Sequence, residues 1–147
     1  MFDAGQVFTL VTTITEEDAL QAALLSQDIQ PLHLDRAYAE RTDFGRPIAP
    51  GVLIVGRVAA LLGTRLVDLR SHYVITRQFD MRFARPVFAG DELRIDATVS
   101  TWDEQRGHLR VNFEARNQEN RRILSGVARL AVRSLAPVPA AAALADT

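Results

Sequence analysis

Apolar and polar positions alternate through the second half of the chain. Leu93, Ile95, Ala97 and Val99 stand against Arg94, Asp96, Thr98 and Ser100, and Leu109, Val111, Phe113 and Ala115 repeat the pattern. A period of two is that of a strand with one face buried. It predicts strands over YVITRQFDMRFARPV (Phe79, Met81 and Phe83 on one side), DELRIDATVSTWD, HLRVNFEARN and ILSGVARLAVRSL. Turn-forming stretches at 88–92, 103–107 and 117–121 join them, so the expectation is four consecutive antiparallel strands.

The first half changes period. Residues 6–14, QVFTLVTTI, are β-branched and aromatic and read as a strand. Thr15 then has the character of an N-cap, with Glu16, Glu17 and Asp18 in the first turn of a short helix that stops near Ser26. The next stretch, SQDIQPLHLDRAYA, is expected to begin as loop, because Pro31 disfavours helix before it. Asp35 is placed to cap a second short helix through RAYAER. TDFGRPIAPG reads as loop, and Val52 to Leu69 as a long helix, apolar nearly all round. Gly56 and Gly63 within it each cost about 1 kcal/mol relative to alanine, which implies close approach of another backbone. A helix apolar on most faces, followed by half-buried strands, is satisfied by one antiparallel sheet wrapped around one central helix. This is an α+β architecture, the hot-dog fold, whose sheet edges usually pair between two subunits. A single domain over 1–135 is expected, followed by an Ala/Pro-rich tail over 136–147 that should fray.

Composition narrows the chemistry. The chain has 147 residues, 48% hydrophobic and 24% charged, with a formal net charge of -1. That charge offers no field for nucleic acid or an anionic membrane. Without cysteine there are no disulfides, thiolate zinc sites or cysteine nucleophiles. All 17 basic residues are arginine, which excludes lysine Schiff-base chemistry. The longest apolar stretch is interrupted by Arg57 and is too short to span a bilayer, and MFDAGQVFTL lacks the pattern of a signal peptide, so a cytosolic protein is expected.

Asp28 and His33, five residues apart around Pro31, are the first candidates for chemistry. Held together, a carboxylate and an imidazole can position and deprotonate a water. The residues alone leave three readings open: a solvated loop, a metal site or an acid/base pair. A loop aspartate is most often a turn or cap residue, and a lone histidine most often a packed or surface one. A metal site needs a third ligand, and Asp35 is better used as a cap; His72 and His108 should begin or edge strands. A second candidate is the start of the central helix at Pro50 and Gly51. Its unpaired N–H groups and partial positive charge, with glycine allowing close approach, suit an oxyanion hole. The same residues also make an ordinary helix start.

Three segments together resemble the MaoC-like family of (R)-specific enoyl-CoA hydratases. SQDIQPLHLDRAYA is similar to its signature, approximately Gly-Asp-x-Asn-Pro-aliphatic-His with a small residue further on, through Asp28, Pro31, Leu32, His33 and Ala39. DFGRPIAPGVLIVG looks like the segment that opens the family's central helix, and FARPVFAGD, Phe83 to Asp91, like its Phe-x-x-Pro-Val-x-x-Gly-Asp phrase. The resemblance covers about residues 6–134 and implies addition of water to a trans-2-enoyl thioester, or the reverse. It implies Asp28 and His33 as the acid/base pair and the Gly51 N–H as oxyanion donor. It also implies an acyl site lined by Phe44, Ile48, Pro50 and Val52. No metal or other cofactor is implied. The substrate would be carried on coenzyme A or an acyl carrier protein, and the assembly would be a homodimer or larger homo-oligomer.

The chain departs from the pattern at four positions. The signature's glycine is Gln27 and its asparagine is Gln30, whose longer arm is expected to brace the loop less well. A histidine often found before the helix glycine is Pro50, and a serine that helps hold the carboxylate is Gly56. A hot-dog acyl thioesterase, or a non-catalytic acyl-binding protein, are therefore the alternative readings.

Overall fold

The computed structural model describes residues 1–139. Its elements are β1 (Val7–Thr13), α1 (Glu16–Ser26), α2 (Pro31–Leu34), α3 (Arg36–Ala39), α4 (Gly51–Thr64), β2 (His72–Phe83), β3 (Glu92–Asp103), β4 (His108–Arg116) and β5 (Arg122–Ser134). The strands form one antiparallel sheet in the order β1-β3-β4-β5-β2. Its inward residues, among them Ile95, Val111, Phe113 and Leu130, share one core with Ile54, Val58, Leu61 and Leu62 of α4. The sheet wraps around one central helix, as the alternation predicts.

The strands are not four in simple succession. Only β3, β4 and β5 form a meander. β2 instead lines up on the far side of β5, from His72 opposite Ser134 to Phe83 opposite Leu124. The reason lies in the turn at 88–92. The Gly90 N–H donates to the Ile14 carbonyl at 2.7 Å, and the Ile14 N–H donates to the Asp91 carbonyl at 2.9 Å. The turn is thereby tied to the end of β1, which pairs with β3 from Val7 opposite Thr98 to Thr13 opposite Glu92. Gly90 has φ +93°, a left-handed conformation that favours glycine. The Asp91 carboxylate locks the same turn, accepting from the Phe88 N–H at 2.9 Å and from Gln118 Nε2 at 3.0 Å.

The central helix is shorter than its apolar pattern suggests. It ends at Thr64, and residues 65–71 turn into β2. Asp68 organises that turn, accepting at its carboxylate from the Arg70 N–H and at its carbonyl from the Ser71 and His72 N–H groups. Nor is the helix buried all round. Val52, Gly56 and Ala60 face outward along a groove beside α1. No atom lies within 4 Å of a Cβ built on Gly56 or Gly63, so neither glycine serves close approach within this chain. The close approach occurs at Gly126 of β5 instead. A Cβ there would run into the Asp80 carbonyl of β2 and reach 2.7 Å from Phe113 Cζ. Of the Ala/Pro-rich tail, residues 136–139 form no regular element and 140–147 lie outside the described residues.

Helix α1 starts where the sequence says. Thr15 and Asp18 form a reciprocal capping box, with Asp18 N to Thr15 Oγ1 at 3.0 Å and Thr15 N to Asp18 Oδ2 at 3.1 Å. Arg57 Nη2 also lies 3.2 Å from Asp18 Oδ2, which joins α1 to α4. The Thr15 N–H, more than Arg57, lowers the Asp18 pKa below its ordinary 3.8. A carboxylate with a depressed folded-state pKa stabilises the fold above its unfolded pKa, and that contribution fades as pH falls through the folded one. Asp18→Asn should therefore be less stable than wild type in denaturant melts at neutral pH. The gap should close as the pH drops below about 3.8, and a gap constant with pH would contradict this account.

Candidate active site

The candidate residues are assembled from the end of α1 onward. Gln27 closes α1 in the left-handed region, φ 63° and ψ 13°, with its N–H donating to the Leu24 carbonyl. This is the position where the resembled signature has glycine, and the backbone shows why: glycine takes that conformation without a Cβ penalty. The turn sends Asp28 to Gln30 away from the helix axis. Pro31 then opens α2 at its first position, a single helical turn where loop was expected. Proline disfavours helix before itself but is well suited to start one. α2 buries His33, while the Asp28 carboxylate stays partly exposed.

His33 is held from both ring nitrogens. Nδ1 lies 2.8 Å from the Ile48 carbonyl oxygen, and Nε2 lies 3.2 Å from Asp28 Oδ2. A carbonyl only accepts, so Nδ1 carries the hydrogen and Nε2 faces the carboxylate. Gln30 is the third member. Its Nε2 sits 3.2 Å from Asp28 Oδ1 and 3.2 Å from His33 Nε2, and one amide group has two hydrogens to give. The longer arm of Gln30 thus reaches both partners, where weaker bracing was expected. The position of the resembled serine, Gly56, lines the α1–α4 groove beside Ser26.

The histidine is also joined to the segment that precedes α4. The Ile48 N–H donates to the Leu32 carbonyl at 3.3 Å, and the Ala49 N–H to the Val87 carbonyl at 2.8 Å. These bonds set residues 46–50 between α2 and the end of β2. A cleft of about 350 Å³ opens there, lined by His33, Phe44, Ile48, Gly51 and Phe83 among others. Gly51 is the first residue of α4, whose start has no side-chain cap. Its N–H has no hydrogen-bond partner among the described residues, and a Cβ at Gly51 would point at Phe83, 3.4 Å from Cζ. The cleft therefore has an imidazole, a free helix N-terminus and apolar walls.

The predicted site residues fall in three places. Asp28 and His33 meet directly, and Phe44, Ile48 and Gly51 line the cleft with His33. Pro50 is buried as the N-cap of α4, and Val52 faces the groove beside α1 on another side of the helix. Asp35 caps α3, accepting from the Tyr38 N–H at 3.1 Å, while His72 and His108 begin β2 and β4. Phe83, Arg85 and Val87 also line the cleft. The FARPV phrase carried them in the sequence, but nothing in it showed that the end of β2 would face the start of α4. No described helix is long and apolar enough to cross a membrane.

A curled antiparallel sheet around one helix defines a hot-dog protein, and here an aspartate, a glutamine and a histidine meet near that helix's free N-terminus. The chain belongs to the MaoC-like domain family, which it matches over residues 3–122. It is 38% identical over 96 residues to an (R)-specific enoyl-CoA hydratase of Rhodospirillum rubrum, 65% of each chain. It is 30% identical over 109 residues to a 3-hydroxybutyryl-CoA dehydratase of Methylorubrum extorquens, 74% of this chain and 68% of that one. Among solved structures, an (R)-hydratase from A. caviae superposes with a TM-score of 0.81 at 29% identity, covering 88% of this chain and 96% of that one. The chain is a lyase of the hydratase/dehydratase type.

Two measurements check the local geometry. Gln27→Gly should raise stability in chemical denaturation by about 1 kcal/mol, since it removes a side chain from a left-handed position; a loss would mean the Gln27 side chain is needed. Long-range proton–nitrogen NMR should show neutral His33 protonated at Nδ1, and an Nε2–H tautomer would contradict the bond to Ile48.

Proposed function

We propose that the chain interconverts trans-2-enoyl thioesters and (R)-3-hydroxyacyl thioesters by adding or removing water at the 2,3 position. The observation that carries this reading is the contact between Asp28 and His33, 3.2 Å apart, with His33 on the cleft that the N-terminus of α4 also lines. In the hydration direction a water sits between Asp28 and His33. The pair takes one proton from the water as its oxygen bonds to C3 and returns that proton to C2, so both groups end as they began. Nδ1 of His33 is occupied by the Ile48 carbonyl, so Nε2 is the nitrogen that exchanges protons. As C3 is attacked, negative charge builds on the thioester oxygen. The free N–H of Gly51, reinforced by the partial positive charge of the helix start, stabilises that charge.

The reaction so written needs no metal or other cofactor, because the thioester carbonyl polarises the double bond. Phe44, Ile48 and Phe83 form the acyl wall. Phe44 and Phe83 are 41% and 50% exposed, which favours a second subunit as the cover of that wall. β2 has a free sheet edge and bears exposed Tyr73 and Ile75, so it is the edge expected to pair in a homodimer. The acyl group is carried on coenzyme A, with an acyl carrier protein as a further candidate partner. A cytosolic location is part of the same reading.

The test is loss of the conjugated enoyl absorbance with short and medium enoyl-CoAs. Asp28→Asn and His33→Ala should each lower kcat by about 100-fold or more. Asp28→Asn, which leaves the bond from His33 to Ile48 in place, should melt near wild type, while His33→Ala should melt lower because it removes that bond. Equal rates in wild type and both variants would overturn the acid/base assignment. Release of free thiol without hydration would instead indicate a thioesterase.

A further inference from the structure

His33, Ile48 and Ala49 line two clefts. Besides the apolar one at Gly51, they border a second, of about 480 Å³, between the start of α1 and the segment before α4. Its character is different. Arg36 and Arg46 line it, and Glu16, in the first turn of α1, is the one carboxylate on its wall. Among the described residues neither arginine lies within ion-pairing distance of a carboxylate, and neither side chain makes a hydrogen bond. Arg46 is nevertheless held: its guanidinium carbon stands 3.9 Å over the Phe88 ring. Stacking fixes the plane of the guanidinium and leaves its N–H groups at the edge free to donate. Two unpaired guanidiniums beside a reacting centre, one of them ordered by an aromatic face, suit an anion with several oxygens.

We infer that Arg36 and Arg46 bind the phosphate of the phosphorylated pantetheine that carries the acyl group. This rests on the acyl-thioester reading of the site. The substrate then straddles His33: the acyl chain enters the apolar cleft at Phe44 and Phe83, and the handle leaves through the cationic one. Guanidinium is the matching group, since its fork donates two parallel hydrogen bonds to phosphate oxygens. The 4′-phosphate is common to coenzyme A and a carrier protein, while the adenosine phosphates belong to coenzyme A alone.

The test uses three crotonyl thioesters, of coenzyme A, of 4′-phosphopantetheine and of pantetheine, with the Arg36→Ala/Arg46→Ala double variant. KM for crotonyl-CoA should rise by about tenfold or more for each hydrogen-bonded guanidinium removed, with kcat changed by less than about threefold. On crotonyl-pantetheine, which has no phosphate, kcat/KM should fall by less than about threefold. A rise in KM on phosphopantetheine as well supports the 4′-phosphate; a rise on coenzyme A alone would overturn that assignment in favour of the adenosine phosphates. An unchanged KM for crotonyl-CoA would overturn the inference, and so would an equal loss on crotonyl-pantetheine. Arg110→Ala, a β4 arginine outside both clefts, is the control for a general loss of positive charge. Should wild type hydrate none of the three thioesters, calorimetric titration with coenzyme A still tests the arginines apart from the reaction. Binding to wild type that weakens tenfold or more in the double variant would support them, and absent or equal binding would overturn them.

Discussion

The hydrogen bond from His33 Nδ1 to the Ile48 carbonyl holds the site together. It fixes which ring nitrogen carries the hydrogen, and so presents Nε2 to Asp28 and Gln30. It also joins two parts of the chain that no secondary structure connects, the single turn of α2 and the irregular segment leading into α4. That segment is bonded in turn to Val87 beyond the end of β2. One imidazole therefore has its tautomer fixed and at the same time ties down the segment that leads into the helix start. An isolated loop bearing the same aspartate and histidine would have neither.

Much of this was legible in the sequence, and the legible parts have local causes. Thr15 and Asp18 cap a helix with groups three residues apart, and Asp35 caps another in the same way. The alternation in β3 and β4 reports the burial of one sheet face directly. What was not legible depends on distant partners. The order of the strands turns on two backbone bonds between Ile14 and the Gly90–Asp91 turn, which side-chain periodicity does not record. The apolar run after Thr64 looks helical, yet Asp68 spends its groups on Arg70, Ser71 and His72. The two glycines of α4 suggested a close neighbour, which sits instead at Gly126.

The site shows the same division. Asp28 and His33 were visible because a rigid five-residue spacing carries them. Gln30 looked like a defect by comparison with the signature, yet in the fold its amide stands between carboxylate and imidazole. Gln27 shows the reverse: the backbone keeps the conformation that glycine explains, although the glycine itself is gone. The FARPVFAGD phrase serves mainly as scaffold. Its glycine and aspartate build the turn under β1, while Phe83 and Val87 supply cleft wall.

The position of β2 at the sheet edge has a consequence for how the chain is made. It leaves the ribosome directly after α4, but among the described residues its one partner in the sheet is β5. Phe83 waits for Leu124, and His72 for Ser134. Until then Ile54, Val58 and Leu61 have no completed sheet to lie against, so burial of the central helix is a late, long-range event in the chain's own synthesis. The nascent protein therefore carries its most apolar segment without a completed sheet until β5, the last strand, has emerged.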